Sequence, residues 1–311
     1  MASREALVAT AGETIAKGSK SFALASRLFD ANTRARAWLL YAWCRRCDDL
    51  SDGQELGRAG RASRDAQTTL SHIRVQTARA LAGEEVGEMP FDALGLVAAE
   101  CALPHAFIHH HLEGFALDAR DWRPRSEADL LKYCYHVAGA VGAMMAVIMG
   151  VDPDDSDTID RASDLGIAFQ LANIGRDLSE DDAIGRCYIP EEWLTGLDIP
   201  PGQHMKPMYR ERMGVVAKWL GELAADYEAS ARTGAARLPF RSRWAVLAAA
   251  GIYGDIAREV AKRGAHAWDY RVVVGKRRKL GWVAKALRQA LRPAPQVGRE
   301  GLWTRPRGQL L

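Results

Sequence analysis

Apolar residues recur at helical spacing along most of this 311-residue chain, and this period restricts the fold more than any other feature. Residues three and four positions apart share one face of a helix, whereas a half-buried strand shows strict alternation. Alternation is confined to one short stretch, residues 270–274. The period predicts helices over 34–50, 62–81, 104–117, 127–149, 157–178, 208–238, 243–263 and 280–291. We therefore expect an all-α fold, a single large helical bundle with a central apolar cavity.

Charge divides the chain into two predicted parts, an all-α domain at residues 1–292 and a basic, flexible tail at residues 293–311. Residues 271–311 contain eleven Lys and Arg but one acid, Glu300, although the net charge of the whole chain is only +3. A basic end on an acidic body predicts an anionic partner. We expect no nucleic-acid partner, because no recognition motif is present and the acidic body would repel phosphate.

The basic end contains an amphipathic segment at residues 280–291. Leu280, Val283, Leu287 and Leu291 share one helical face, and Lys285, Arg288 and Arg292 share another. This pattern favours peripheral contact with an anionic membrane surface. In the alternative interpretation the apolar face packs on the bundle and the charges are solvated.

No apolar run reaches the roughly 20 residues that a membrane-spanning helix needs. The most apolar stretch, residues 136–151, is shorter and predicts a buried core helix. The five cysteines are scattered, and the first residues lack the apolar core of a secretion signal. We therefore expect a cytoplasmic protein, peripheral on the inner face of the cytoplasmic membrane. Three consecutive histidines, residues 109–111, predict a partly exposed polar turn, because consecutive helical residues point about 100° apart.

Two columns of polar side chains indicate the function. In residues 38–52 the first column contains Tyr41, Arg45, Asp48 and Asp52, which are spaced four, three and four. Such spacing places an aromatic ring, a guanidinium and two carboxylates on one helical face.

The second column lies in residues 164–181. It contains Gln170, Asn173, Asp177 and Asp181, spaced three, four and four, with Arg176 beside it. Like charges at this spacing mildly destabilise a helix, so two such columns inside apolar helices favour a ligand site over a solvated face.

Clustered carboxylates without His or Cys in register suit a hard cation such as Mg²⁺, or Mn²⁺ in its place. Arg45 and Arg176 suit phosphate oxygens, because the guanidinium fork matches them. No Walker-type glycine loop accompanies the aspartates, which argues against a nucleotide. An apolar bundle behind these groups could enclose a hydrocarbon and shield a carbocation from water.

These residues resemble the squalene/phytoene synthase family, and within it the bacterial phytoene synthases. The resemblance covers about residues 13–283. It rests on ordered motifs: SKSF at 19–22, YAWCRRCDDLSD at 41–52, YCYHVAGAVG at 133–142, FQLANIGRDLSED at 169–181 and GRCYIPEEWL at 185–194. It implies the all-α isoprenoid-synthase fold and head-to-head condensation of two geranylgeranyl diphosphates to 15-cis-phytoene. The implied intermediate is prephytoene diphosphate, and two diphosphates are released in carotenoid biosynthesis.

The resemblance also implies roles for single residues. Metal binding falls to Asp48, Asp52, Asn173, Asp177 and Asp181, and the four aspartates together with Tyr133 are the expected catalytic residues. Substrate contacts fall to Ser19, Ser21, Phe22, Tyr41, Arg45, Gln170, Asn173, Arg176, Tyr253 and Arg271. Tyr133 resembles a family tyrosine that acts in the first half-reaction.

Phytoene keeps its central double bond, so no NADPH is expected. One alternative is squalene or dehydrosqualene synthesis from C15 farnesyl diphosphate, which the spacing of the aspartates leaves open. The other is a non-catalytic, membrane-associated relative, although such a protein would be expected to lose aspartates that are all present here.

Overall fold

The computed structural model describes residues 3–52 and 65–307 and, between these ranges, the backbone of two short strands. The first half contains α1 (Arg4–Gly18), α2 (Lys20–Ser26), α3 (Ala31–Ser51), α4 (Ala66–Leu81), α5 (Met89–Cys101) and α6 (His105–Asp118). Strands β1 (Gln54–Glu55) and β2 (Arg58–Ala59) pair antiparallel between α3 and α4. The start of the predicted helix 62–81 lies outside the described residues.

The second half contains the longest helices. They are α7 (Glu127–Cys134), α8 (Ala140–Ile148), α9 (Ser156–Ala183), α10 (Glu191–Gly196), α11 (Arg210–Gly234), α12 (Phe240–Arg263) and α13 (Lys276–Ala290). A π-helical segment, Tyr135–Gly139, joins α7 to α8. The predicted all-α bundle is confirmed, but the helical period missed α1, α2, α5 and α10.

Two large apolar clusters form most of the core of the described residues. The first lies among α7, α9, α11 and α12, and the second lies among α1, α3, α4, α5, α6 and α8. Helix α9 packs closely against the π-helical segment, because a Cβ on Gly166 would lie only 2.2 Å from the carbonyl oxygen of Ala138. The stretch Glu127–Ile148 is long and apolar enough to cross a membrane, but 67% of its most apolar window is buried in the bundle. The prediction of a buried core helix here is confirmed.

The basic end differs from its prediction in two ways. Helix α13 begins at Lys276, and its buried residues are Ala286 and Ala290. Leu280 and Leu291, which were expected on the packed or membrane-facing stripe, are 60% and 70% exposed.

Residues 293–307, which were predicted as part of a flexible tail, contact the helical bundle. Val297 accepts a hydrogen bond from Arg161 at 3.0 Å, and the backbone N–H of Trp303 donates to the Tyr227 hydroxyl at 2.9 Å. Arg299 forms two hydrogen bonds with Asp164, both 2.7 Å long. The basic charges of this segment therefore hold it against α9 and α11.

Candidate active site

The two predicted polar columns lie on α3 and α9, and six of their eight residues line one polar pocket. From α3 the pocket receives Asp48 and Asp52, and from α9 it receives Gln170, Asn173, Asp177 and Asp181. Asp52 follows the last turn of α3, where its backbone N–H still bonds to the carbonyl of Asp48. Two carboxylates from each column therefore lie in one pocket.

An apolar cavity of about 380 Å³ adjoins the polar pocket. Asp48, Gln170 and His111 line both spaces. The cavity wall is otherwise mostly aliphatic and aromatic, with residues from α2, α3, α8, α9, α11 and α12. The predicted central apolar cavity is therefore present, with the carboxylates at one end of it.

Negative charge is in excess in the polar pocket. Burial, opposed by Arg45 and reinforced by Asp52 and Asp49, raises the pKa of Asp48 to about 7. Burial likewise raises the pKa of Asp181 to about 7, and Asp177 adds to the effect. Among the described residues, neither Asp48 nor Asp181 has an ion-pairing partner. Neighbouring carboxylates that resist ionisation would be stabilised by a bound cation.

Three arginines that were predicted to contact the substrate form ion pairs with carboxylates. Arg176 Nε donates to Asp177 Oδ1 at 2.7 Å, and Arg271 Nη2 donates to the same oxygen at 2.7 Å. Arg45 pairs with Asp49 one turn along α3 and lines neither cavity. The predicted substrate contacts of these three arginines stay predictions, because each arginine donates to a carboxylate in this arrangement.

Sequence reasoning missed a half-buried aspartate, Asp118, at the end of α6. Asp118 lines the polar pocket and accepts hydrogen bonds from the Tyr133 hydroxyl at 3.0 Å and the Tyr188 hydroxyl at 3.2 Å. The two tyrosine rings stack with centroids 4.8 Å apart. Burial raises the pKa of the Asp118 carboxyl. The available sequence clue was an acid directly after the apolar residues 115–117 at the end of this helix.

Arg186 is the second missed residue. Its Nη1 donates to Asp52 Oδ1 at 3.2 Å, across 134 residues of sequence. Because Arg186 lies in a loop after α9, no helical spacing connects it with Asp52. It brings a positive charge into the acidic pocket from outside both columns.

The N-terminal contacts lie at the edge of the apolar cavity. Ser19 caps α2, and Ser21 accepts a hydrogen bond from Lys279 Nζ at 2.7 Å. The Phe22 ring lies 5.6 Å from that of Tyr41. The Tyr253 ring stacks on Phe169 with centroids 4.2 Å apart, and its hydroxyl also hydrogen-bonds with Ser19. The structure thus brings Ser19, Ser21, Phe22, Tyr41 and Tyr253 to one cavity, together with Gln170.

The three consecutive histidines do not form a partly exposed turn. His110 and His111 are only 1% and 3% exposed. His111 Nδ1 lies 3.2 Å from the carbonyl oxygen of His136, and burial lowers the pKa of His111 to about 4. The spacing argument excluded chelation by three consecutive residues but could not reveal how deeply α6 is packed.

The donor set fits a hard divalent cation. Among the described residues no three His, Cys, Asp or Glu side chains lie close enough together to hold an ion by themselves. Mg²⁺ is commonly held by one or two carboxylates together with substrate phosphates, so a preassembled cage is not required. The two carboxyl groups of raised pKa, one on each helix, have the chemistry for this arrangement.

Comparison with known proteins gives the same picture. The model of the squalene/phytoene synthase family matches residues 15–278. The chain is 43% identical to the 15-cis-phytoene synthase of Pantoea ananas, over 94% of this chain and 96% of that protein. It is 42% identical to the 15-cis-phytoene synthase of a Paracoccus strain, over 96% and 98%.

Solved structures agree on the architecture. A dehydrosqualene synthase in complex with ligand superposes with a TM-score of 0.81 at 26% identity, covering 91% of this chain and 96% of that one. A squalene synthase from Alicyclobacillus acidocaldarius gives 0.72 at 21% identity, over 84% and 95%, which supports the fold alone. With most of its length matched by the family model, this chain belongs to the squalene/phytoene synthase family.

Proposed function

We propose that this protein is a prenyltransferase that joins two geranylgeranyl diphosphates head to head and forms 15-cis-phytoene through prephytoene diphosphate. Two diphosphates and two protons leave over the whole reaction. The observation that carries the proposal is the continuity of the two spaces, because Asp48 and Gln170 line both the acidic pocket and the apolar cavity. The relatives named 15-cis-phytoene synthase support the choice of product.

We further propose that Mg²⁺, or Mn²⁺ in its place, is held by Asp48, Asp52, Asn173, Asp177 and Asp181. The bound ion would neutralise the diphosphate and stabilise its departure. Without a cation, five carboxylates of this pocket, those of the four column aspartates and Asp118, would repel a diphosphate.

The side chains of this protein then act on the organic part of the substrate. The apolar walls exclude water from the allylic cation that forms when the diphosphate leaves. Aromatic faces such as that of Phe22, which lines the cavity, can stabilise positive charge nearby. Tyr133 lines the polar pocket and donates its hydroxyl proton to Asp118. In the proposed step the Tyr133 oxygen would accept the proton that is lost as the cyclopropane ring closes, and Asp118 would take the original hydroxyl proton.

A C15 substrate is the second candidate, because a dehydrosqualene synthase shares the fold with a TM-score of 0.81. A non-catalytic role is less well supported, since all four column aspartates are present and line the pocket. Formation of phytoene needs no reductant, so we propose a reaction without NADPH.

Incubation of the purified protein with labelled C15 and C20 diphosphates and Mg²⁺, without NADPH, tests the proposal. We expect a C40 hydrocarbon from the C20 substrate and none when EDTA replaces the metal. A C30 hydrocarbon as the only product would support the second candidate, a C15 substrate. No hydrocarbon from either substrate, with folded protein, would overturn the enzymatic role.

We also propose that residues 270–280 contact an anionic membrane surface on the cytoplasmic side. Tyr270, Val273 and Leu280 are 82%, 76% and 60% exposed, and the exposed Lys276 and Arg277 lie among them. Apolar side chains flanked by cations suit a lipid interface. Co-sedimentation with phosphatidylglycerol vesicles should fall in a Lys276→Glu, Arg277→Glu variant. Equal sedimentation of variant and wild type would contradict this contact.

A further inference from the structure

Arg161 is an unusual residue in the wall of the apolar cavity. Together with Thr158 it lies at the end of the lining stretch of α9 that is farthest from Asp177. Its side chain is only 9% exposed. Of the described cavity-lining residues, Asp48 and Arg161 alone are Asp, Glu, Lys or Arg, and Asp48 lies at the opposite end. Nothing in the proposed chemistry needs a guanidinium at this depth.

The charged end of Arg161 is held by acceptors on α9, on α11 and in the C-terminal segment. Its Nε donates to Asp157 Oδ2 at 3.2 Å. Its Nη1 donates to Ser230 Oγ at 3.2 Å and to the carbonyl of Val297 at 3.0 Å. With the guanidinium held by these acceptors, the methylene stem is the part that is left to line the cavity. Long cationic side chains commonly divide in this way between apolar and polar surroundings.

The C-terminal segment fixes this arrangement from behind. Thr233 Oγ1 donates to the carbonyl of Pro295 at 2.8 Å and accepts from the backbone N–H of Val297 at 3.2 Å. Val297 therefore cannot move away from Arg161 without losing hydrogen bonds on both sides. Two residues further on, Arg299 anchors the segment to Asp164.

Close packing of α9 on α11 also holds the stem in place. A Cβ on Gly234 would lie 2.6 Å from Cβ of Arg161, so a larger residue at position 234 would displace the stem. If the guanidinium moved into the apolar cavity, it would be a buried charge without a partner, which is strongly unfavourable. Arg161 is therefore a stiff wall rather than a side chain that can fold aside.

The position of this wall matches a prenyl chain. Asp177 and Arg161 are sixteen residues apart on one continuous helix, which corresponds to about 24 Å at 1.5 Å per residue. The sixteen main-chain carbons of a C20 prenyl group extend over roughly 19 Å with bonds of about 1.5 Å, and its diphosphate occupies the remainder. One more isoprene unit would add about 5 Å and meet the stem of Arg161.

We propose that Arg161, anchored by the C-terminal segment, is the end wall of the hydrocarbon cavity and limits the length of the prenyl chain that the enzyme accepts. This inference rests on the proposed function, because it assumes that a prenyl chain fills the cavity. It gives residues 295–299 a role in substrate selection, although they lie outside the catalytic pocket.

The variant Arg161→Ala removes the wall with little risk to folding. Asp157 keeps its ion pair with Arg237 at 2.6 Å, and Ser230 still donates to Asp164. The matched control is Arg307→Ala, which removes an arginine of the same C-terminal segment that pairs with Asp160 and lines neither cavity. Thr233→Val tests the anchor, because it removes both hydrogen bonds to residues 295 and 297.

The measurement is kcat/KM for C20 and C25 diphosphates, with C40, C45 and C50 products separated by mass. In Arg161→Ala we expect the C25-to-C20 ratio to rise about tenfold or more. Thr233→Val should move it in the same direction by less, and Arg307→Ala should leave it unchanged. A fall of both rates at constant ratio would overturn the proposal, since a merely structural role predicts that result.

Two further outcomes distinguish a failure of the end-wall proposal from a failure of the proposed function. If Arg161→Ala turns over neither substrate, binding of non-hydrolysable C20 and C25 thiolodiphosphates measures the same preference, and a wild-type ratio would overturn the proposal. If the wild type uses C15 but not C20, the proposed function fails. The wall is then tested by whether Arg161→Ala shifts acceptance from C15 to C20, and an unshifted preference would overturn it as well.

Discussion

Helix α9 carries two aspartate pairs at the same spacing, Asp160 with Asp164 and Asp177 with Asp181. The first pair is 3% and 0% exposed and is surrounded by arginines from the C-terminal segment. Arg299 contacts Asp164 at 2.7 Å, and Arg305 and Arg307 contact Asp160 at 2.7 and 3.1 Å. This pair is neutralised and structural.

The second pair lines the polar pocket, and of its two carboxylates only Asp177 has ion-pair partners among the described residues. Asp177 is held by Arg176 and Arg271, but the pKa of Asp181 rises to about 7 because burial and neighbouring carboxylates disfavour its ionised form. Identical spacing thus gives a structural anchor at one end of α9 and a ligand site at the other. The two pairs differ in their countercharges. Those of Asp160 and Asp164 come from arginines more than a hundred residues away in the sequence.

Removing a carboxylate from the unneutralised pair should have the largest effect. In Asp181→Asn we expect turnover to fall on the order of 10³-fold, because a preorganised group at the leaving diphosphate is lost. Asp48→Ala and Asp177→Ala should behave alike, and circular dichroism should remain helical in all three. The measurement is C40 hydrocarbon formed per minute at saturating Mg²⁺. Near-normal turnover in any variant would remove that residue from the mechanism.

Breaking the neutralised pair should instead lower stability. Arg299→Ala leaves Asp164 buried without its guanidinium, which costs about 3–5 kcal/mol in comparable buried pairs. Urea unfolding measures this free energy, and activity per folded molecule on the C20 substrate should remain within a few-fold of wild type.

A double variant separates charge from packing at this anchor. Arg299→Met with Asp164→Leu removes both charges together, so it should recover much of the stability that Arg299→Ala loses. If the double variant is as unstable as the single one, the pair contributes through packing, and the contrast between the two ends of α9 is weaker than proposed.

The sequence could predict the columns but not their electrostatic balance. Spacing placed Asp48 with Asp52 and Asp177 with Asp181 on helical faces, because helical geometry is local and periodic. Asp160 and Asp164 have the same spacing, and nothing local distinguishes them. Arg299 and Arg305 reach them only through the path of a segment that was predicted to be flexible.

Loops explain the other residues that were missed. Arg186 meets Asp52 from the turn after α9, and Asp118 meets Tyr133 and Tyr188 from the end of α6. These contacts join different elements at their ends, where helical period carries no information. The presence of an apolar cavity could be predicted, because small and apolar residues dominate α8. Its end wall could not, because it depends on tertiary hydrogen bonds of Arg161.

The pH dependence of stability should also distinguish Asp48, on α3, from the neutralised pair Asp160 and Asp164. In the metal-free protein the pKa of Asp48 is raised from 3.8 to about 7. Between pH 4 and 7 the folded state then binds more protons than the unfolded state, so this group lowers stability as the pH rises through that window.

The Asp48→Asn variant should not lose stability in this way, because its amide does not ionise. At pH 8 with EDTA the variant should be more stable than wild type by about 1–2 kcal/mol, less than the full shift implies because Asp48 is partly exposed to the cavity. Urea unfolding at pH 5 and pH 8 measures the difference. Saturating Mg²⁺ should stabilise the wild type more than the variant. Parallel pH profiles for the two proteins would contradict the assignment.

The smallest effect is expected from Arg307, the most exposed of the arginines that pair with Asp160 and Asp164. Arg307 is 64% exposed and shares Asp160 with Arg305, which is only 9% exposed. Because exposed ion pairs contribute little, Arg307→Ala should cost less than about 1 kcal/mol in urea unfolding. Arg305→Ala should cost several times more, since it takes the buried partner from a buried carboxylate. Equal losses in the two variants would mean that Asp160 needs both countercharges, and that the neutral end of α9 is balanced as narrowly as the catalytic end.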